Sequence, residues 1–274
     1  LKGGSDARHS NEAIAALPEG LVALSDISAH LAPDALRRAV AHFGDARLGA
    51  VGGGYELTRA GSACEAMYWR VQIATKKGEA ALGAPLGLHG AFWMFRREAW
   101  APLPAGTIND DFVWPCRMAE AGWRVGYDPT IRVTEEEQAS AALDTRRRTR
   151  IGMGNAQQLW LCRGLMHPRH GGIALAFLSG KALRVLMPFQ LGFAVIGTLI
   201  LAPHSTFFAV LAICEALGLA LAGCGALLGD RAPRMLSVLR YLVAGHLASA
   251  RGVARWMLSA SAGRPATTWR RAGA

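Results

Sequence analysis

The chain has 274 residues, 30 Lys and Arg against 20 Asp and Glu, a net charge of +10, and 51% hydrophobic side chains. That is room for one sizeable domain plus an appendage, and too apolar for an ordinary soluble protein, so a membrane part is expected. The basic excess lies in residues 146–184 and 230–274, beside the only long apolar stretches, which points to membrane flanks and excludes nucleic acid as the partner. The five cysteines include no C-x-x-C spacing, which speaks against a zinc site or a disulfide framework.

In chain order, residues 6–17 read as a helix ended by Pro18, Leu21–Ser25 as a strand, Pro33–Phe43 as a helix and Leu48–Val51 as a second strand. This alternation predicts parallel βαβ units in an α/β layer, whose ligands gather at the carboxyl ends of strands. Asp26 and Ser28 stand at such an end. Gly52-Gly53-Gly54 has no G-x-G-x-x-G context and reads as close backbone packing or an edge near a ligand. Residues 65–78 have helical spacing, with Tyr68, Trp69 and Ile73 as core or as a sugar platform. The glycines at 83, 87 and 90 then lead into the aromatic strand Phe92–Phe95, where backbone is free to approach a ligand.

The segment Thr107-Ile-Asn-Asp-Asp-Phe-Val-Trp-Pro-Cys-Arg-Met-Ala-Glu-Ala-Gly-Trp-Arg-Val-Gly-Tyr-Asp-Pro129 is the richest in chemistry. Asp110 and Asp111 precede a helix in which Pro115 belongs to the first turn and Gly122 supplies the stop, and a strand follows. Carboxylates at the positive end of a helix stay ionised and can take a proton from a hydroxyl; a plain N-cap is the alternative. Farther on, residues 182–202 and 206–229 are each long and apolar enough to span a bilayer, with Glu215 inside the second, and the flanking Lys and Arg place both ends in the cytoplasm. The stretch 235–258 reads either as a third span or as a basic helix along the membrane surface, and the fall of Arg240, Arg251 and Arg255 within about 60° on a helical wheel favours the surface helix.

Taken in order, these residues resemble the membrane-bound branch of the family 2 glycosyltransferases. Lys2-Gly-Gly-Ser-Asp-Ala-Arg-His-Ser-Asn11-Glu-Ala-Ile14 is similar to the family's G-K-x-x-A-L-N-x-A-L segment, and Leu24–Ala29 to its D-x-D region with Ser28 in place of the second acid. Asn109-Asp110-Asp111 is similar to the E-D motif. Arg146–Gly154 is similar to the Q-x-x-R-W region, with Arg147 at the Gln position, Ile151 at the Trp position and Arg150 retained. Trp269–Arg271 resembles the C-terminal tail.

The resemblance implies a Rossmann-like GT-A nucleotide-sugar domain, incomplete at its N-terminus, over residues 1–160. A basic linker at 161–181, a transmembrane hairpin at 182–229 and an interfacial helix with cytoplasmic tail at 230–274 would follow. It implies Asp111 as catalytic base beside Asp110, and donor contacts from Lys2, Asn11, Asp26 and Ser28. Gly90, Arg147 and Arg150 would face the acceptor or diphosphate, and Asp26 would hold Mg²⁺ or Mn²⁺. The expected donor is a nucleotide sugar, foremost a UDP-sugar, and the expected acceptor a lipid-linked sugar or polysaccharide. The expected place is the inner membrane, multi-pass and in contact with its lipids, with the catalytic domain cytoplasmic. The alternative is a non-catalytic, membrane-anchored partner of a polysaccharide synthase.

Overall fold

The computed structural model describes residues 7–57, 63–135 and 144–262. These form two compact units, one made of the described residues up to 135 together with 157–181, the other of 144–156 with 182–262. Lys2, the tail at Trp269–Arg271 and the side chains of Tyr68, Trp69, Arg146 and Arg147 lie outside what is described.

In the first unit the elements are α1 (Ala7–Ala15), β1 (Leu21–Ser25), β2 (Ala29–Leu31), α2 (Ala35–Ala41), β3 (Leu48–Leu57), α3 (Ala63–Ala81), β4 (Phe92–Arg96), α4 (Asp110–Glu120) and β5 (Arg124–Glu135). The five strands form one sheet in the order β1-β4-β3-β5-β2. Within this mixed sheet β3 and β5 pair in parallel and the other three pairings are antiparallel, so β1 and β3 run in the same direction on either side of β4 without pairing directly. β1 and β3 do not touch because β4, entering later in sequence, inserts between them. Its Phe92-Trp93-Met94-Phe95 is buried on both faces, Trp93 and Phe95 in one core and Phe92 and Met94 in the other, which is why the strand reads as continuously apolar.

The glycines of β3 mark close packing, as the sequence suggested. A Cβ on Gly52 would lie 2.6 Å from Leu88 Cδ2, and one on Gly54 would lie 2.7 Å from the Pro129 carbonyl oxygen. β5 skips register between Asp128 and Arg132, and Pro129, which cannot donate to a ladder, falls inside that irregularity.

The position of Pro115 is a correction. α4 begins at Asp110 itself, so Pro115 is its sixth residue and lies in the helix interior, not the first turn. A proline there has no amide for the Asp111 carbonyl one turn back. That carbonyl instead accepts the Leu88 amide at 2.9 Å, so a bond missing from the helix becomes a bond to a neighbouring loop. Gly122, at φ +94°, ends the helix as expected.

The second unit holds the first part of α5 (Asp144–Leu161) and then α7 (Leu183–Leu201), α8 (Thr206–Leu228) and α9 (Arg234–Ser261); the short α6 (Gly172–Phe177) belongs to the first unit. The helical stretch that contains α7 and the helix α8 are each long and apolar enough to cross a membrane, and little of either is covered by protein. Glu215 of α8 has a partner in α7, where Thr198 Oγ1 donates to its Oε1 at 3.4 Å, and its Oε2 is buried without a partner. α9 packs on α8, with Arg240 Nη1 reaching the Gly225 carbonyl oxygen at 3.4 Å.

α5 and α9 cross backbone to backbone at Gly152 and Gly252. A Cβ on Gly252 would run into the Thr149 carbonyl oxygen and come within 2.8 Å of the Met153 nitrogen. Exchanging glycine for alanine inside a helix ordinarily stabilises it by about 0.5–1 kcal/mol. Gly192→Ala, which meets open space, is therefore expected to hold or raise the thermal midpoint of the solubilised protein, and Gly252→Ala to lower it by several degrees.

Candidate active site

β1 ends at Ser25, whose hydroxyl donates to the Ala91 carbonyl oxygen at 2.8 Å, while that same carbonyl accepts the Asp26 amide at 3.3 Å. The end of β1 is thereby stitched to residue 91, and Asp26 is set beside Gly90. α4 brings Asp111 to the other side of the same glycine. A Cβ at position 90 would lie 3.3 Å from Asp26 Oδ2 and 3.6 Å from Asp111 Oδ2, so the two carboxylates converge on one small space kept open by a missing side chain.

The plain N-cap reading of the acidic pair does not hold. Asn109 is the cap residue and makes no side-chain cap bond, while Asp110 Oδ1 accepts the Asp111 amide at 3.0 Å from within the first turn. The helix start does not keep these carboxyls readily ionised, as position alone suggested: Asp111 is pushed up to about 7, first by burial and then by the negative charges of Asp110 and Asp26, with Lys76 pulling the other way. Asp110 is raised as well, mainly by burial, with Asp26 adding to it. The site concentrates negative charge where water is scarce, an arrangement suited to taking up a proton near neutral pH or to holding a cation.

Beside this centre is a cleft of about 400 Å³, counting its open mouth, lined by Tyr55, Gln72, Ile73, Lys76, His89 and Tyr127 among others. Tyr55 and His89 stack with centroids 3.8 Å apart, and His89 Nδ1 accepts the Ala91 amide at 3.2 Å. The phenol of Tyr127 is pushed up to about 12 by burial and by the charges of Asp128 and Glu56, so it stays neutral. Ile73, read as core or platform, is half-buried at the cleft wall. Tyr55, His89, Lys76 and Tyr127 carried no motif and were not foreseen.

Of the residues expected at the site, the structure joins Asp26, Gly90, Asp110 and Asp111, and leaves Ser28 exposed in the turn after β1. Asn11 is bonded to the backbone: its Nδ2 donates to the Leu103 carbonyl oxygen at 2.7 Å and its Oδ1 accepts the Leu103 amide at 3.0 Å. That amide ties α1 to the segment before α4. Arg150 is half-buried on α5 within the second unit. Among the described residues no group of three or more His, Cys, Asp or Glu surrounds a common point.

Residues 1–154 match the family model described as "Glycosyltransferase like family 2", which is more than half of the chain. The chain belongs to that family. As a member of family 2 it has a GT-A-like α/β domain built on a mixed sheet and followed by two apolar helices of membrane-spanning length. Among curated proteins it is 35% identical over 102 residues to "Glucans biosynthesis glucosyltransferase H" of Rhodopseudomonas palustris, an alignment that takes in 36% of this chain and only 14% of that protein. Its fold matches that of the mannosyltransferase PcManGT from Pyrobaculum calidifontis, solved in complex with GDP-Man and Mn²⁺. The TM-score is 0.64 and the identity 19%, over 93% of this chain and 67% of that one.

The raised Asp111 carboxyl has a consequence for stability. A carboxyl whose folded pKa lies above its unfolded value favours the fold below the unfolded pKa, and that contribution is lost as pH rises through about 7. Without divalent cations, Asp111→Asn is therefore expected to raise the thermal midpoint at pH 8 clearly more than at pH 5. Equal shifts at the two pH values would contradict the buried, charge-crowded assignment.

Proposed function

We propose that this glycosyltransferase moves a sugar from a nucleotide-diphosphate sugar to a membrane-associated acceptor with inversion at the anomeric carbon. The observation that carries this reading is the convergence of Asp26 and Asp111 on Gly90, a carboxylate at a strand end facing a carboxylate at a helix start. In the mechanism Asp111 removes the proton of an acceptor hydroxyl. The oxygen attacks the anomeric carbon, and the bond to the diphosphate breaks on the opposite face; direct displacement inverts the centre. Asp110 holds the Asp111 amide and keeps the first turn of α4 closed. The absent side chain at Gly90 leaves room for the reacting groups.

The carboxylates fit a divalent cation of the Mg²⁺ or Mn²⁺ kind, because the like charges of Asp26, Asp110 and Asp111 gather there, with Lys76 partly offsetting them. Asp26 would hold the ion together with donor phosphates, since no larger ligand cluster is present among the described residues. When bound, such an ion neutralises charge on the departing diphosphate. A UDP-sugar is the first donor to test; the GDP-mannose complex of the structural neighbour makes a GDP-sugar the second.

The acceptor is assigned to the bilayer because the exposed apolar helices α7 and α8 form a hairpin with basic flanks. In this reading the protein is multi-pass in the inner membrane with its catalytic domain in the cytoplasm. α9 keeps Arg251 and Arg255 exposed, as a helix meeting lipid phosphates requires.

Membranes carrying the protein, offered UDP- and GDP-sugars with Mg²⁺ or Mn²⁺, are expected to release nucleotide from one donor. Asp111→Asn should lower that turnover by about 10²–10⁴-fold with donor binding retained. Near-normal transfer by the variant would overturn the mechanism, and release from no donor in the presence of a lipid extract would favour a non-catalytic synthase partner. Arg150→Ala is expected to lose turnover and keep its membrane association. Loss of membrane association alone would reduce Arg150 to juxtamembrane charge.

A further inference from the structure

The loop between α3 and β4 is fastened at three places. At its start, the Lys76 ammonium donates to the carbonyl oxygens of Leu86, at 2.5 Å, and Gly87, at 2.7 Å, and its third contact is Glu79 Oε2 at 3.3 Å. These three partners match the three donors of an ammonium, so Lys76 lines the cleft without a hydrogen left for a ligand. Glu79 uses the same Oε2 to accept the Leu86 amide at 2.8 Å. In the middle, the Leu88 amide is held by the Asp111 carbonyl oxygen at 2.9 Å. At the end, the Ala91 carbonyl oxygen is held by the Ser25 hydroxyl at 2.8 Å and the Asp26 amide at 3.3 Å, next to Gly90 between the Asp26 and Asp111 carboxylates.

Little slack exists between these points. Gly87 has φ +81°, and a Cβ there would lie 2.5 Å from the Phe112 ring and 3.1 Å from Phe112 Cα. The Lys76–Glu79 pair is poorly solvated, with side chains 19% and 10% exposed. A pair so placed, whose remaining hydrogen bonds all go to one short piece of backbone, acts as a strap, unlike an exposed ion pair on a helix surface.

We infer that Lys76 and Glu79 are positioning residues for transfer: by strapping Leu86 and Gly87 to α3 they set, through Leu88 and Gly90, the place of Asp111 opposite Asp26. Neither residue touches the reacting atoms. This inference rests on the proposed role of Asp111 as base, and it predicts that loosening α3 from the loop misplaces the base and leaves the donor bound. Misplacement of a catalytic group by about 1 Å lowers turnover on the order of 10²-fold.

The test uses membranes carrying the protein and the nucleotide sugar that the wild type consumes. Turnover is expressed per donor-binding site measured in the same membranes, so that a variant that merely folds less well loses sites and turnover together. Lys76→Met is expected to lower turnover per site by about 10–100-fold with donor KM within about twofold of wild type. Lys76→Arg, which keeps the charge and several donors, should recover most of the loss. Glu79→Gln, which keeps an acceptor for the Leu86 amide, should fall between them, and Thr75→Ala on the exposed face of the same helix should match wild type.

Unchanged turnover per site in Lys76→Met, or a loss confined to donor KM, would overturn the inference. So would a Lys76→Arg variant as impaired as Lys76→Met. If Lys76→Met does not accumulate, Glu79→Gln and Lys76→Arg decide by the same ratio. The two failures are distinguishable: an active Asp111→Asn removes the mechanism itself, whereas an inactive Asp111→Asn beside a normal Lys76→Met removes only the strap.

Discussion

The hydrogen bond from the Leu88 amide to the Asp111 carbonyl oxygen is the contact on which the site depends. It exists because Pro115 cannot supply the amide that an unbroken helix would place there. In the middle of a helix a proline commonly costs about 3 kcal/mol. Here the freed carbonyl is satisfied by a loop, so the helix keeps its direction and gains a lateral tie. Through that tie the backbone of the acidic residue is joined to the glycine loop, with the Asp26 and Asp111 carboxylates on either side of Gly90.

The sheet explains why the two halves of the site meet at all. β4 lies between β1 and β3, and its antiparallel run brings residue 91 back to the end of β1, where Ser25 and Asp26 bind its carbonyl. Residues more than 60 positions apart in sequence are thereby neighbours at a strand end. The aromatic content of β4 serves the same purpose, since a strand buried on both faces resists sliding and so holds its register.

Much of this architecture was legible beforehand. The strand before Asp26, the helix with Asp110 and Asp111 at its start and the glycine run into an aromatic strand each have strong local signals in side-chain period and turn chemistry. Pairing partners were not legible, because they depend on which later strand fills the gap beside β1, and a local alternation of strands and helices carries no such information. Pro115 was assigned by a rule for helices whose carbonyls have no outside partner, and Leu88 is that partner. Asn11 matched a family segment by type and position, and neither shows that its amide is bonded to Leu103. Lys76 and Glu79 lay three residues apart on a helix, a spacing that commonly means a solvated surface pair. Only the burial of Glu79 and the two carbonyls under Lys76 distinguish them.

The contact between Thr198 and Glu215 gives the apolar helices α7 and α8 a polar tie between otherwise apolar sequences. A lone acidic side chain at mid-membrane opposes insertion by about 2.5–3.5 kcal/mol. The helix that bears Glu215 is made after the one that bears Thr198, and the connection between them is short. The hydroxyl on α7 and the carboxyl on α8 therefore belong to one pairing, in which a polar side chain of one apolar helix meets its partner on the other.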